Sequence, residues 1–259
     1  MSTKNAPPRP VPAVTRSIAI LRFLGRNDTP VGVVAIAREL DIIPSTCLQI
    51  LRTLVTEELV SVDPATKCYA LDAGMLALVR NALRQDRFAG LVQPELDRLS
   101  ARFGITAIGV RVIGLQHMNV VAISHSDLAF RIHVDVGSRF PALVSATGRC
   151  LAAFGGHSDT DLKRGFKAVR WENAPDYDAW FTEVEQTRHA GFGADVGNYI
   201  RGVTIVATPV FGLDGTMTYG LAMVGLSDQM RDFGHDAIGA EVQRVAATLT
   251  ENLGGKRTD

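Results

Sequence analysis

The sequence predicts an α+β protein built from two parts. The first part, residues 13–72, contains three short amphipathic patterns and then two short apolar runs separated by a turn. The second part, residues 91–259, contains about five strand-like runs, most of them joined by hairpin turns, with helical patterns between them. Strands that are joined by hairpins and interrupted by helices are typical of a domain with an antiparallel sheet.

The overall composition indicates a folded, water-soluble chain. Hydrophobic residues make up 46% and charged residues 21% of the 259 positions, whereas a disordered chain combines low hydrophobicity with high net charge. The longest uncharged apolar runs are shorter than the ~20 residues of a membrane-spanning helix. Residues 1–12 contain four of the eleven prolines and no apolar stretch, so we predict a disordered arm there and no signal peptide. We expect a cytoplasmic protein that does not contact a membrane.

Neither the cysteines nor any known cofactor-binding motif in the sequence indicates a bound cofactor. Cys47, Cys68 and Cys150 are widely spaced and form no CxxC pair, which favours reduced thiols over disulfides or a thiolate metal site. The sequence resembles no phosphate-binding loop, zinc finger or dinucleotide-binding glycine motif. We therefore expect neither a metal nor an organic cofactor.

The first part shows the element order of a winged helix-turn-helix. Its first helical pattern ends at a glycine, and its third begins at Pro44, a residue suited to the first turn of a helix. The two apolar runs that follow are typical of a β-hairpin. The helical patterns cover residues 15–25, 31–40 and 44–58, and the strands cover 59–62 and 67–71.

The third helical pattern has an apolar face and a face of small polar and basic side chains. Serine and threonine at a helix N-terminus can donate to phosphates or base edges. Glutamine can pair with adenine, and arginine can contact guanine or a phosphate. We predict that this face reads DNA together with residues near the hairpin tip; the predicted residues are Ser45, Thr46, Gln49, Arg52, Thr53, Lys67 and Tyr69.

Two other interpretations of the first part stay open. A polar helix face also occurs on ordinary three-helix domains, and it is the hairpin and the order of elements that favour a DNA reader. An apolar side chain on the same helix, Leu48, instead suits a protein-interaction module with weak DNA binding.

A further helical pattern connects the two parts. Residues 72–87 place Met75, Leu76, Val79 and Leu83 at helical spacing among arginines. We predict a helix that links the parts or pairs with a partner helix. The predicted boundaries are an arm at 1–12, a winged helix-turn-helix at 13–72, a linker or dimerisation helix at 73–90 and a second domain at 91–259.

The second part alternates strand-like runs with helical patterns. A strong hairpin turn at Leu213-Asp214-Gly215 joins the last two strands. The predicted strands cover 106–113, 117–124, 130–136, 202–211 and 216–224, and the predicted helices cover 91–103, 145–154, 159–166, 177–189 and 229–252.

Several segments resemble the IclR family of bacterial transcription regulators. In the first part these are TRSIAILRFL at 15–24, IAREL at 36–40, PSTCLQILRTL at 44–54 and YAL at 69–71. In the second part they are VGSRFP at 136–141, ATGRCLAAF at 146–154 and GFGAD at 191–195. The chain departs from the family pattern at Leu48 and Gln49, where the family usually has histidine and arginine. The resemblance implies a winged-helix domain, a linker helix and a GAF-like effector-binding domain, with double-stranded operator DNA and a small organic effector as ligands and a homodimer or homotetramer as the assembly.

The resemblance also implies an effector site in the second part. The family's pocket takes contacts from the start of the helix that follows VGSRFP, where free N–H groups suit a carboxylate. Small-acid sensors often have a cysteine and two serines at positions that are aliphatic here, so an aromatic or apolar ligand with one polar or acidic end fits better. Aliphatic residues at these positions are equally typical of a plain sheet core. The implied residues are Ala129, Ala146, Thr147, Gly148, the acidic anchor Asp195, and the aliphatic wall Ile205, Ala222 and Val224.

An enzymatic role is a further alternative, with Cys150 as the nucleophile. No neighbouring sequence supplies a base for this thiol, and the histidines have no closely spaced carboxylates. We therefore predict that the protein is not an enzyme.

The distribution of charge supports the division into two parts. The chain has 27 basic and 27 acidic residues, a balance that by itself argues against a nucleic-acid partner. Residues 1–87, however, carry a net charge of +3, and residues 88–259 carry −3. A mildly basic first part predicts DNA binding that depends only moderately on salt concentration.

Overall fold

The structure is a computed structural model that describes residues 11–78, 87–125 and 134–256. The chain divides at Gln85, and we name the two sides the N-terminal unit and the C-terminal unit. Each unit has its own buried hydrophobic clusters, so each is described separately.

Helix α3 organises the N-terminal unit, because its apolar face supplies Cys47, Leu51 and Leu54 to the core. The predicted hairpin is present, and a short strand adds to it, giving the order β1-β3-β2 in the described residues. The elements are α1 (Pro12–Leu24), β1 (Val31–Gly32), α2 (Val33–Glu39), α3 (Pro44–Thr56), β2 (Val60–Val62) and β3 (Cys68–Leu71). The predicted winged helix-turn-helix is thereby confirmed.

The predicted linker helix at 73–90 is described only near its ends. Residues 74–78 are helical, and residues from Arg87 onward belong to the next helix. The predicted positions 79–86 lie outside the described residues, as does most of the predicted arm.

An antiparallel sheet organises the C-terminal unit, as predicted. Within the described ranges it has six strands in the order β6-β5-β4-β9-β8-β7. The strands are β4 (Thr106–Ile113), β5 (His117–Ile123), β6 (Arg139–Pro141), β7 (Gly193–Val196), β8 (Val203–Phe211) and β9 (Met217–Leu226). The helices are α4 (Arg87–Phe103), α5 (Ser145–Phe154), α6 (Asp159–Ala168), α7 (Tyr177–Ala190), α8 (Ser227–Phe233) and α9 (His235–Asn252).

Helices cover both faces of this sheet, because successive strand residues point to opposite sides. On one face, Val206 and Leu221 pack in a cluster with residues of α4 and α9. On the other face, Ile205, Ala222 and Val224 pack in a cluster with residues of α5 and α7. The second face carries the predicted effector residues.

Two details differ from the predicted elements. The helix predicted at 229–252 is two helices, because Gly234 has a φ of 77°, a left-handed conformation that glycine adopts at no steric cost. Of the strand predicted at 130–136, positions 130–133 lie outside the described residues and 134–136 are not in a strand. On the side of β5 away from β4, the paired strand is β6, at Arg139–Pro141.

Candidate functional site

The structure places the five predicted residues of α3 on one side of the helix. Because the opposite side packs into the core, the polar side is left to solvent. The Thr53 hydroxyl donates to the Gln49 carbonyl oxygen at 3.2 Å, so this hydroxyl is already engaged within the helix. The residues Ser45, Gln49, Arg52 and Thr53 are exposed, and Thr46 is half-buried.

The two predicted residues of the hairpin differ in their exposure. Lys67 is exposed beside the turn, where the Asp63 carboxylate accepts backbone N–H groups of Ala65 and Thr66. Tyr69 is only 7% exposed, because it lies on the central strand β3 and packs into the core. The burial of Tyr69 argues against its predicted contact with DNA, so we leave it out of the candidate surface.

The predicted helix start in the C-terminal unit is the first turn of α5. Ala146, Thr147 and Gly148 are all buried there. The Gly148 N–H donates to the Val144 carbonyl oxygen at 2.9 Å, so the N–H groups that helix geometry leaves without a partner in the helix are those of the residues before it, Ala146 and Thr147 among them. A Cβ atom at Gly148 would lie 2.2 Å from the carbonyl carbon of Leu143. Only glycine allows the segment before α5 to approach the helix so closely.

The predicted aliphatic wall lies on the sheet face that α5 covers. Ile205 is the register partner of Val224 in the adjacent strand. These two residues and Ala222 are buried in the same cluster as Ala146. The structure therefore brings the helix start and the wall together, whereas Ala129 lies outside the described residues.

Asp195 has a partner that the sequence analysis missed. Its Oδ2 accepts a hydrogen bond from Nη1 of Arg149 at 2.9 Å, and its Oδ1 accepts the backbone N–H groups of Asn198 and Tyr199. The predicted acidic anchor is therefore already in an ion pair. The sequence contains one indication of this pairing. Arg149 stands among small, mostly apolar residues of a predicted helix, and a buried arginine needs an acidic partner.

Cys150 is not placed as a nucleophile. Its thiol is buried and lies 3.3 Å from the Ala207 carbonyl oxygen, to which it donates. Burial raises the pKa of this thiol to about 12, so the nucleophilic thiolate is scarce at neutral pH. In the described part of the chain, no three histidine, cysteine or acidic side chains cluster as metal ligands would.

Comparison with known families links both units to one group. The family model described as the IclR helix-turn-helix domain matches residues 13–64. The model described as the C-terminal part of the bacterial transcriptional regulator IclR matches residues 81–251. The chain belongs to the IclR family of bacterial transcriptional regulators. The resemblance predicted from the motifs is thereby confirmed.

Individual IclR-family proteins are similar over most of the chain. The glycerol operon regulatory protein of Streptomyces griseus is 26% identical and covers 96% of this chain and 99% of its own. The transcriptional regulator KdgR of Escherichia coli is 24% identical, and the match covers 83% of this chain and 82% of KdgR. These relatives are regulators, which confirms the prediction that the protein is not an enzyme.

Solved IclR-family structures share the fold. The regulator from Alicyclobacillus acidocaldarius has a TM-score of 0.79 at 24% identity and covers 95% of this chain and 100% of its own. The homolog from Microbacterium hydrocarbonoxydans, complexed with 4-hydroxybenzoate, has a TM-score of 0.75 at 17% identity. The match covers 93% of this chain and 99% of the homolog. Among the described residues, no helix is both long enough and apolar enough to cross a membrane.

Proposed function

We propose that the protein binds operator DNA through α3 and the β2–β3 hairpin. The exposed polar face of α3 supports this proposal, since recognition helices contact base edges with their N-terminal residues. Lys67 adds a cation beside the hairpin turn, and the net charge of +3 over residues 1–87 suits a phosphate backbone. A protein-interaction module would show the same exposure, so the test must measure DNA binding itself.

Two substitutions on α3 test the DNA surface, with the DNA upstream of the protein's own gene as the probe. Gln49→Ala removes a candidate base contact and is expected to weaken binding roughly 5- to 150-fold, about 1–3 kcal/mol. Arg52→Ala is expected to reduce the slope of log affinity against log salt concentration by about one if it contacts a phosphate. Gel-shift titrations at several salt concentrations measure both effects.

Arg170→Ala is the matched control, because Arg170 is an exposed arginine of the C-terminal unit. It removes the same charge and is expected to leave both affinity and salt slope unchanged. If Gln49→Ala and Arg52→Ala behave like this control, α3 does not read DNA, and the protein-interaction alternative is favoured.

We further propose that the effector is an aromatic or otherwise apolar molecule with one acidic end, bound between α5 and the sheet. The side chains of Ile205, Ala222 and Val224 are aliphatic, so the wall suits an apolar body better than a two-carbon acid. The first turn of α5 suits the acidic end, since helix N-termini attract anions. The Microbacterium homolog was solved with an aromatic acid, 4-hydroxybenzoate, which supports testing this class first.

Calorimetry with a panel of small aliphatic and aromatic acids tests the effector class. We expect the aromatic acids to bind and acids of the size of glyoxylate to bind weakly or not at all. Tight binding of the glyoxylate-sized acids alone overturns the proposal and leaves Ile205, Ala222 and Val224 as plain sheet core.

We propose that effector and operator are coupled by linkage in a dimer or tetramer. An effector that binds one conformation of the C-terminal unit better shifts the spacing of two reading helices, which must match half-sites about one helical turn apart. A saturating effector is then expected to change operator affinity about 5- to 150-fold. Sedimentation equilibrium measures the assembly, and full operator affinity in a monomer contradicts the proposal.

A further inference from the structure

Arg149 is a fully buried charge in the layer between α5 and the sheet. Its side chain is 1% exposed, and it lies three positions after Ala146, so both residues lie on the same side of α5. A guanidinium group is rarely buried this deeply unless acidic groups compensate it. The partners of Arg149 therefore determine the charge of this layer.

Three side chains accept hydrogen bonds from the Arg149 guanidinium. Nη1 donates to Asp195 at 2.9 Å, Nη2 donates to Asn198 at 2.9 Å, and Nε donates to Glu183 at 2.7 Å. The Glu183 side chain is 41% exposed, whereas Asp195 is 1% exposed. Glu183 also lies 2.5 Å from Nη2 of Arg149, so the guanidinium joins a partly exposed acid to a buried one. Solvent screens the charge of Glu183, whereas the charge of Asp195 has Arg149 as its buried counter-ion.

The pairing leaves Asp195 little capacity to hold a ligand. An ionised carboxylate has about four acceptor positions, and three of them are used by Arg149, Asn198 and Tyr199. Asp195 is also the register partner of Ile205, so it borders the proposed effector site. Among the described residues, the first turn of α5 is a further polar feature of this site, and it carries partial positive charge.

We propose that Arg149 determines the charge of the effector by neutralising Asp195. With Arg149 present, the negative charge of Asp195 is compensated, and an anionic end is attracted to the first turn of α5. Without Arg149, Asp195 loses its buried counter-ion and Oδ2 loses its donor, so the site becomes less favourable for an anion and can accept a hydrogen bond from a neutral end. Arg149 is thus a positioning residue that selects acids over amides, and this inference rests on the effector site proposed above.

Matched acid and amide ligands test the inference. The probes are benzoate, 4-hydroxybenzoate and phenylacetate, each compared with its own amide by calorimetry on the full chain. We expect the acid of the best-bound pair to bind about tenfold tighter or more than its amide, since a unit charge near the helix terminus interacts by more than thermal energy. The ratio of two affinities measured in one protein sample does not depend on the fraction of folded molecules.

Four variants separate charge from packing. We expect Arg149→Gln to lower the ratio of acid affinity to amide affinity about tenfold, because it removes the charge. Arg149→Lys keeps the charge and should retain the ratio. The double variant Arg149→Gln with Asp195→Asn removes both charges and should restore it. Asp195→Asn alone is expected to raise the ratio, so the inference stays testable if Arg149→Gln does not fold. Arg98→Gln is the control, because Arg98 pairs with Glu241 at 2.8 Å between α4 and α9 on the other sheet face.

The outcomes distinguish this inference from the proposed function. A wild-type preference for amides, or a ratio that Arg149→Gln and Asp195→Asn leave unchanged, overturns the role of Arg149 while the proposed effector site stands. Binding of no acid and no amide overturns the aromatic effector class and this inference with it. An equal change in the ratio caused by Arg98→Gln shows that the effect is not specific to the pair of Arg149 and Asp195, and it also overturns the inference.

Discussion

Adding one methyl group at Gly148 tests the packing of α5 on which the effector site depends. In Gly148→Ala the new Cβ would lie 2.2 Å from the carbonyl carbon of Leu143, 2.4 Å from its carbonyl oxygen and 2.6 Å from its Cα. Ordinary van der Waals contacts of a Cβ begin at 3.4 Å. Because all three atoms belong to the backbone, the first turn of α5 or the segment before it must move by about 1 Å.

The size of the effect follows from two opposing contributions. Overpacking of a core costs about 1–3 kcal/mol or more, whereas replacing glycine by alanine within a helix contributes about 0.5–1 kcal/mol of stability. With three backbone atoms in the way, we expect a net loss of about 2 kcal/mol in the free energy of unfolding. For a unit of this size, that loss lowers the Tm by roughly 4–8 °C. Effector affinity should fall as well, because the displaced turn carries the proposed acid-binding N–H groups.

Gly90→Ala supplies the matched control in the same unit. Gly90 lies in α4, is exposed, and among the described residues has no atom within 4 Å of a Cβ added there. The same substitution should therefore raise stability, by about 0.5–1 kcal/mol. Thermal unfolding and calorimetry with the best-bound acid measure both variants. If Gly148→Ala unfolds at or above the wild-type temperature and binds the acid normally, the close approach of Leu143 to α5 is refuted.

Three further predictions concern the core, the thiols and the ion pairs. Leu51 is fully buried in the N-terminal unit, so Leu51→Ala should destabilise that unit by about 3 kcal/mol, measured by urea unfolding, and leave effector binding unchanged. A loss of effector binding would contradict the independent folding of the two units. In the folded protein, the half-buried Cys68 should react with Ellman's reagent well before the buried Cys150, because burial raises the pKa of the Cys150 thiol to about 12. Early modification of Cys150, detected by mass spectrometry, would contradict its burial. Hydrogen bonds from its arginine neighbours, Arg244 first, lower the pKa of Glu241 to about 2 from 4.5, so its stabilising contribution is present above pH 4.5 and is lost as the pH falls towards 2. Glu241→Gln should therefore flatten the dependence of the urea midpoint on pH in that range, and an unchanged slope would exclude this role.

Local patterns were sufficient to predict most of the elements. The strand at 106–113 and the helix at 145–154 have the predicted bounds, because the spacing of apolar residues is a property of a short stretch of chain. The short strands β6 and β7 were not predicted, since their pairing with β5 and β8 defines them more than their composition does.

Tyr69 shows where a local pattern becomes insufficient for the candidate site. Alternation along a strand separates its two faces, but it does not show which face another segment will cover. Here β1 pairs with β3 at Val31 and Tyr69, and the tyrosine ring is buried in the core. Lys67, beside the turn, is exposed.

The sequence by itself determined the two-part organisation, the polar face of α3 and the aliphatic character of the wall, because these depend on residue types and on spacing within single elements. The tertiary structure alone decided that Arg149 holds Asp195, 46 positions further along the chain. A buried charge has to be paired, but many acidic residues could satisfy that requirement. The folded backbone decides which carboxylate lies within hydrogen-bond distance, and that choice determines whether Asp195 is free to bind a ligand.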